Sequence, residues 1–365
     1  MKATVRLQRE PFDAAAEAAI LTRGRSDIGA AVTFTGICRG DEDGQPIAAL
    51  TFRRDFWQET IARDPQRFGM QAALLPDRGV VKVVGDDARR FHNGLVTNDV
   101  AKVAPGKPAF AALLTPQGKI IVDFIIAEAL PEDGGGFFLD CPRALAPDLV
   151  EKLNFYKLRA KVICKDLSDV LGVMAIWDTG GEGEYGLCYP DPRLPALGMC
   201  VMLPPHLATE AAADLGATLV DAESYDVYRI ALGVPRGGTD FIYGDTFPHE
   251  ADMDQLNGVD FDKGCYVGQE VVSRVEHRAS ARSRVVPIAY DEFAPLSGIP
   301  VMAGGKQVGT LCSTAKGRGL ALMRLDRVED ALASGIALEA GGIPIRMVKP
   351  EWAKFDWPGE TKVAT

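Results

Sequence analysis

Lys263-Gly264-Cys265-Tyr266-Val267-Gly268-Gln269-Glu270, running on to Arg274, is the stretch around which the 365-residue chain is organised. A thiol sits between two glycines, two residues after a lysine. A helical pattern opens just beyond it. Val267, Val271, Val272 and Val275 fall on one face, and Glu270, Arg274, Glu276 and Arg278 can point outward. Gly264 and Gly268 permit backbone geometries and close approaches that a side chain would block. Cys265 is therefore expected near the positive end of a helix and near Lys263. Both effects favour the thiolate, which makes a reactive cysteine the functional reading. A buried structural cysteine in a tight turn is the alternative.

The totals bound the rest. Length allows two or three domains with substantial cores. Apolar content of 47% and charged content of 25% are those of a soluble globular protein. A net charge of −10 and a pI near 5.1 give an overall field that disfavours direct nucleic-acid binding. Seven cysteines form no C-x-x-C pair, so a disulfide framework is not expected, nor a metal or cluster site built by closely spaced cysteines. His92, His206, His249 and His277 form no H-x-x-x-H or H-E-x-x-H, and no metal site is expected; only His249, beside Glu250, stands out. No 18-residue apolar run or signal pattern occurs, so the expectation is a cytoplasmic protein without a membrane segment.

Residues Lys263 to Arg274 resemble the K-G-C-[FY]-x-G-Q-E-x-x-x-R motif of the YgfZ family. These are folate-binding proteins related to the T-protein of the glycine cleavage system, and they support iron–sulfur enzymes. The resemblance runs from about Leu75 to Lys349. It implies an α+β fold: a three-domain T-protein-like (GcvT-like) folate-binding body with a small C-terminal antiparallel β-barrel. The first 52 residues are read as a separate, partial α/β segment. They resemble the start of MoaE, the catalytic subunit of molybdopterin synthase, through Gln8 to Phe12, Asp27 to Ala30, Thr33 to Gly36 with Arg39, and Ala49 to Thr51. The boundaries that follow are 1–52, a linker at 53–73, the folate-binding domains at 74–283, the barrel at 284–350 and a loosely packed tail at 351–365.

Between these pieces the pattern predicts strands at Val80–Val84, Phe110–Leu114, Lys119–Ala129, Phe137–Asp140 and Val162–Lys165. Leu171–Trp177 and Tyr185–Tyr189 read as a hairpin, and after Arg284 short strands are expected at Val285–Tyr290, Lys306–Cys312, Gly319–Arg324 and Ile343–Val348, tied by hairpins at Gly304-Gly305 and Gly341-Gly342. Helices are expected at Asp87–Leu95, capped by Asp86, then at Ala144–Arg159, Leu207–Leu215 and Ala222–Leu232. The loop Gly181 to Gly186 fits G-x-G-x-x-G, but two glutamates would face phosphate and Pro190 and Pro192 follow where a helix should begin, so it reads as a turn.

Tetrahydrofolate is the cofactor the resemblance implies. Asp99, with Asn98, matches a T-protein position that acts on the folate during one-carbon transfer; a simple helix-end turn is the other reading. Glu250 can accept the N–H and NH2 edge of a pterin. Arg229 and Arg236 can pair with the folate's glutamate tail or form structural ion pairs, and Lys263 can neutralise that tail. Tyr266 can stack on the flat ring or fill the core. Gln269 completes the motif as a binding residue. Asp99, Glu250 and the 263–270 loop are expected to border one cavity, with Cys265 and Asp99 as the chemical groups. The implied function is a monomeric accessory factor that assembles or repairs clusters in client iron–sulfur enzymes, tRNA-modifying ones included, together with cluster-assembly proteins. A tetrahydrofolate-dependent aminomethyltransferase and a molybdopterin-synthase subunit are the alternatives.

Overall fold

The computed structural model describes residues 69–131, 134–178, 185–277, 281–291 and 294–360, together with Asp41–Glu42 and Gln45–Pro46. The chain divides into two units, Met1–Arg63 and Asp64–Thr365. In the first, β1 (Asp41–Glu42) pairs antiparallel with β2 (Gln45–Pro46). The residues that carry the molybdopterin-synthase resemblance lie outside the described residues, as do Gly181 to Glu184 of the glycine-rich loop.

In the second unit the elements run β3 (Gln71–Leu75), β4 (Arg78–Val84), α1 (Ala88–Asn93), β5 (Ala109–Leu114), β6 (Ile120–Glu128), β7 (Phe137–Pro142), α2 (Ala146–Tyr156) and β8 (Ile163–Asp166). Then follow β9 (Gly172–Trp177), β10 (Leu187–Pro190), β11 (Met199–Leu203), α3 (Ala208–Asp214), β12 (Thr218–Val220), α4 (Ala222–Ala231) and α5 (Gln269–His277). The last part holds β13 (Ser283–Ala289), β14 (Pro300–Ala303), β15 (Lys306–Ala315), β16 (Arg318–Arg324), α6 (Leu325–Ala333), β17 (Leu338–Ala340) and β18 (Ile343–Met347). One sheet has the order β5-β6-β7-β4-β8 and a second β10-β11-β9-β3-β12; β13-β16-β15-β14-β17-β18 close into a barrel. All these pairings are antiparallel except β12 with β3.

A central core explains why the three sheets stay together. Val80, Phe110, Ile125 and Phe138 from the first sheet meet Val173, Tyr189 and Met202 from the second and Val285 and Leu320 from the barrel. Strands of the first sheet bury both faces, because α1 and α2 cover the other side over Val81, Phe124, Phe137 and Leu139. Near-continuous apolar runs such as Ile120–Glu128 follow from that double burial.

The α+β body with a closed C-terminal barrel agrees with the expected fold. Several details do not. The expected hairpin of β9 and β10 is absent, because β11 inserts between them. Met199–Leu203 is a short, uniformly apolar run and lacks the alternation that marks a strand. β3 begins at Gln71, inside the stretch read as a linker, and is flanked by β9 and β12. Asp86 does not cap α1; Asp87 holds the N-cap position, but its carboxylate accepts from the Lys161 amide at 2.8 Å. The tail is anchored rather than loose: Trp357 and Ala353 are buried, and Trp352 Nε1 donates to the Leu232 carbonyl at 2.9 Å. Barrel strands β14 and β17 and helix α6 were not foreseen.

His92 lies fully buried under α1 against Phe137, with Nδ1 donating to the Ala88 carbonyl at 2.9 Å. Burial lowers its pKa to about 4. In the unfolded chain the value is about 6.5, so the unfolded state gains a proton first as pH falls. The stability tied to neutral His92 is therefore complete above about pH 6.5 and is lost progressively towards about pH 4. Urea unfolding at pH 7.5 and pH 5 should show a loss of about 2 kcal/mol from this group. The His92→Leu variant should lose that much less; an unchanged pH dependence would refute the assignment.

Candidate functional site

The 263–270 loop is held by a buried ammonium. Lys263 is 8% exposed, and its Nζ donates to the carbonyls of Asn93 (2.8 Å), Val96 (2.6 Å) and Asn98 (2.8 Å). Those carbonyls belong to the end of α1 and the turn after it, where a cation suits the helix dipole and supplies missing donors. Nζ also lies 4.9 Å from the Tyr266 ring centroid. Burial lowers the Lys263 pKa to about 8, with Asp99 and Asp260 acting against that shift. Lys263 is therefore committed to the fold and is not available to neutralise a folate tail. Its charge points inward to the carbonyls, while Cys265 is exposed.

The neighbouring polar groups are also engaged. Asn98 Nδ2 donates to the carbonyls of Phe110 (2.8 Å) and Asn257 (2.7 Å), and its Oδ1 accepts from the Asp99 amide (2.8 Å). Asp99 caps the short 3-10 turn Val100–Lys102, accepting from Ala101 N at 3.0 Å. Tyr266 belongs to the central core, 8% exposed, and burial with Asp260 pushes its hydroxyl up to about 12. It fills the core beneath Lys263 rather than offering a stacking face. Gln269 is the first residue of α5 and is half-buried, its amide donating to the Tyr266 carbonyl at 3.3 Å. Glu250 is half-buried, accepts from the Phe247 amide at 3.0 Å, and is raised above the usual carboxylate range by burial.

The two glycines of the motif differ. Gly268 has φ +82°, and a Cβ there would lie 2.6 Å from the Thr115 carbonyl oxygen. It seats the loop on the Thr115–Gly118 turn, and any side chain would push the two apart. A Cβ on Gly264 would meet nothing within 4 Å, so no close approach demands glycine there. Cys265 is consequently presented to solvent on an open loop just ahead of α5. Of the six described cysteines it alone is exposed; Cys141, Cys200 and Cys312 are buried and Cys164 and Cys188 partly so. Burial raises the thiols of Cys141 and Cys312 to about 12 and also pushes that of Cys200 well above its ordinary value.

A small cleft of about 40 Å³, partly open to solvent, lies elsewhere, between the β3–β4 turn, β7, β11 and α4. Arg78, Asp140, Arg193, Tyr225, Asp226, Arg229 and Arg236 line it with Leu75, Asp77, Cys200 and Ala222. Arg78 Nε donates to Asp140 Oδ1 at 2.7 Å, and Tyr189 donates to Asp140 Oδ2 at 2.9 Å. Arg229 is saturated: it bonds Asp226, the Val234 carbonyl, Asp240 and Ser313. It ties α4 to the barrel and is a structural ion pair. Arg236 sits at the rim, its side chain 32% exposed, 3.0 Å from Asp226 and 3.4 Å from Asp77.

The expected single cavity thus resolves into two assemblies. Asn98, Asp99, Lys263 and Tyr266 gather under the cysteine loop, whereas Arg229 and Arg236 line the cleft; Glu250 does not line it. They share a wall. Asn257 accepts from Asn98 and donates to the Pro192 and Arg193 carbonyls at 3.1 and 3.4 Å, and Arg193 lines the cleft. Sequence reasoning missed Arg78, Asp140 and Arg193. The signal for Asp140 was a lone carboxylate inside the apolar run Phe137-Phe138-Leu139-Asp140-Cys141.

Comparison with known proteins gives three results. Residues 282–355 match the CAF17 C-terminal beta-barrel domain. The chain is 30% identical to the mitochondrial iron–sulfur cluster assembly factor IBA57 homolog of Mycosarcoma maydis, over 83% of this chain and 89% of that protein. It is 30% identical to the mitochondrial IBA57 of Mus musculus, over 79% and 86% respectively. The aminomethyltransferase T structure from Bartonella henselae superimposes with a TM-score of 0.63 at 15% identity, covering 80% of this chain and 89% of that one, a likeness of fold. These relatives are named mitochondrial, so the expected cytoplasmic placement is overturned. Their names lend no support to the molybdopterin-synthase resemblance of the N-terminal segment.

Lys263→Met keeps the stem and removes the ammonium, leaving three carbonyls without their donor. Unfolding in urea should show a loss of at least about 2 kcal/mol. A loss under about 0.5 kcal/mol would mean that the cage does not hold the loop.

Proposed function

Because the chain belongs to the iron–sulfur cluster assembly factor IBA57 family, we propose that it acts in cluster assembly through Cys265, with a folate held in the cleft. The observation that carries this reading is the exposure of Cys265 on a loop pinned from both sides. A thiolate is the natural ligand for cluster iron, and one cysteine alone cannot hold a cluster, so the bond is a shared, transient one. The remaining ligands come from a cluster-assembly protein or a client enzyme. Client enzymes include tRNA-modifying iron–sulfur enzymes, as the family resemblance implies, and the acidic chain, a monomer in this reading, makes no direct nucleic-acid contact.

Tetrahydrofolate follows from the motif resemblance; the cleft, at about 40 Å³, carries polar groups suited to it but must widen to admit it. Asp77 and Asp226 offer acceptors for the aminopyrimidine edge, Tyr225 and Leu75 offer apolar surface, and Arg236 at the rim can turn to a carboxylate tail. Bound there, the folate would supply a one-carbon carrier and a redox-sensitive ring. The chain's own part is to orient it and to limit its access to water. Aminomethyl transfer gains no support from Asp99, whose carboxylate caps the Val100–Lys102 turn.

Two measurements test this. Limited alkylation should modify Cys265 faster than Cys141, Cys200 or Cys312, and Cys265→Ser should leave thermal unfolding nearly unchanged while abolishing support of iron–sulfur enzymes in cells lacking the wild-type protein. Full complementation by the serine variant would sink the cluster reading. Separately, tetrahydrofolate at a hundredfold excess over its dissociation constant should stabilise the protein by about 2.7 kcal/mol. Arg236→Gln should weaken binding about tenfold, whereas Cys265→Ser should not. No heat in calorimetry and no thermal shift would remove the folate and leave the cysteine role standing.

A further inference from the structure

Away from the cleft, the turn before the cysteine loop meets the last turn of α5. His249, Asp254 and Glu276 bring one donor atom each to within 4.8 Å of one another. No sequence motif announces this group, because Glu276 lies on a different element from the other two. His249 is 2% exposed, with one ring nitrogen, Nε2, 3.1 Å from Glu276 Oε2. Its other nitrogen, Nδ1, is buried with no hydrogen-bond partner among the described residues. A buried polar atom without a partner is costly, and among the described residues the His249 ring hydrogen-bonds through only one of its two nitrogens.

One of the two carboxylates, Asp254, is held in place. Arg284 Nη1 and Nη2 donate to the two oxygens of Asp254 at 2.8 Å each, and Nη1 also reaches Asp252 and the His249 carbonyl. That is the outer support that orients a ligating carboxylate. Arg284 reaches Asp252 and Asp254, whereas Glu276 bonds His249. Glu276, with its side chain 45% exposed, gives an ion a route in from solvent.

We propose that His249, Asp254 and Glu276 form a binding site for a divalent first-row transition ion of the ferrous or zinc class. One imidazole and two carboxylates suit such ions, whereas Mg2+ and Ca2+ prefer all-oxygen shells. Three protein ligands leave coordination positions open, as in a site that exchanges its ion. The site is separate from the Cys265 thiol and does not depend on the folate reading.

The test is titration of the metal-free full-length protein with Co2+, read by its d–d absorption and by calorimetry, with Zn2+ and, anaerobically, Fe2+ as competitors. One equivalent should bind, without the sulfur-to-metal charge-transfer band that thiolate ligation would give. Zn2+ should displace the Co2+ at comparable concentration and Fe2+ only in excess, and Mg2+ at that same excess should not. Glu276→Ala, a change at a solvent-facing position whose fold circular dichroism can verify, should weaken binding at least about tenfold. Cys265→Ser should bind as the wild type does. No binding, binding undiminished by Glu276→Ala, or binding lost in Cys265→Ser would each overturn the proposal.

Discussion

A buried ammonium must find acceptors, and the three carbonyls that receive Lys263 lie about 165 to 170 residues away in the chain. That requirement fixes the rest of the arrangement. It docks the cysteine loop on the end of α1, sets Tyr266 under the amine, and leaves Gly268 to meet the Thr115–Gly118 turn from the other side. With both ends of the loop pinned, its middle has nowhere to go but outward. The exposure of Cys265 is thus a by-product of how its neighbours are buried. A lysine that looks like an activating neighbour in sequence is, in three dimensions, the anchor.

Similar charge pairs join the layers elsewhere. Arg229 with Asp240 connects α4 to the barrel through Ser313, Arg284 with Asp252 and Asp254 connects the barrel to the 249–254 turn, and Arg78 with Asp140 lies between the two open sheets. Buried pairs of this kind return little net stability against a well-packed apolar alternative, but removing one partner is severe. Apolar contacts among Val80, Val173 and Val285 hold the sheets together without specifying an angle. The arginines, with their forked geometry, supply that angle. The cleft occupies one of these polar seams, which accounts for its being lined by charges that already have partners.

Much of the architecture was legible before any coordinates. Apolar patterning and turn chemistry located all five strands of the first sheet and four of the six barrel strands, and the Gly304-Gly305 and Gly341-Gly342 turns fall between paired strands. What escaped had physical reasons. β11 is apolar on both faces, and β3 begins in a stretch dominated by charge. Side-chain roles were harder still. An arginine's sequence context cannot distinguish Arg229, closed in by four partners, from Arg236, which keeps freedom at a rim; that difference is set by residues as remote as Ser313. The His249, Asp254 and Glu276 group was invisible for the same reason, since it needs two elements to meet.

The position of β3 has a consequence for how the chain comes off the ribosome. The first open sheet is nearly self-contained, all five of its strands lying between residues 78 and 166. β3 precedes that whole block, yet it pairs with β9 and then with β12, so that Gln71 meets Trp177 and Thr218. During synthesis at about 5–20 residues per second, β3 therefore waits on the order of 5–20 seconds with both edges open while the neighbouring sheet is still being made. Its sequence, Gln-Ala-Ala-Leu-Leu, is short and carries no charge to discourage wrong pairing. The nascent chain has its most vulnerable interval there, between emergence of β3 and arrival of β9, and assistance from a chaperone would count most in that window.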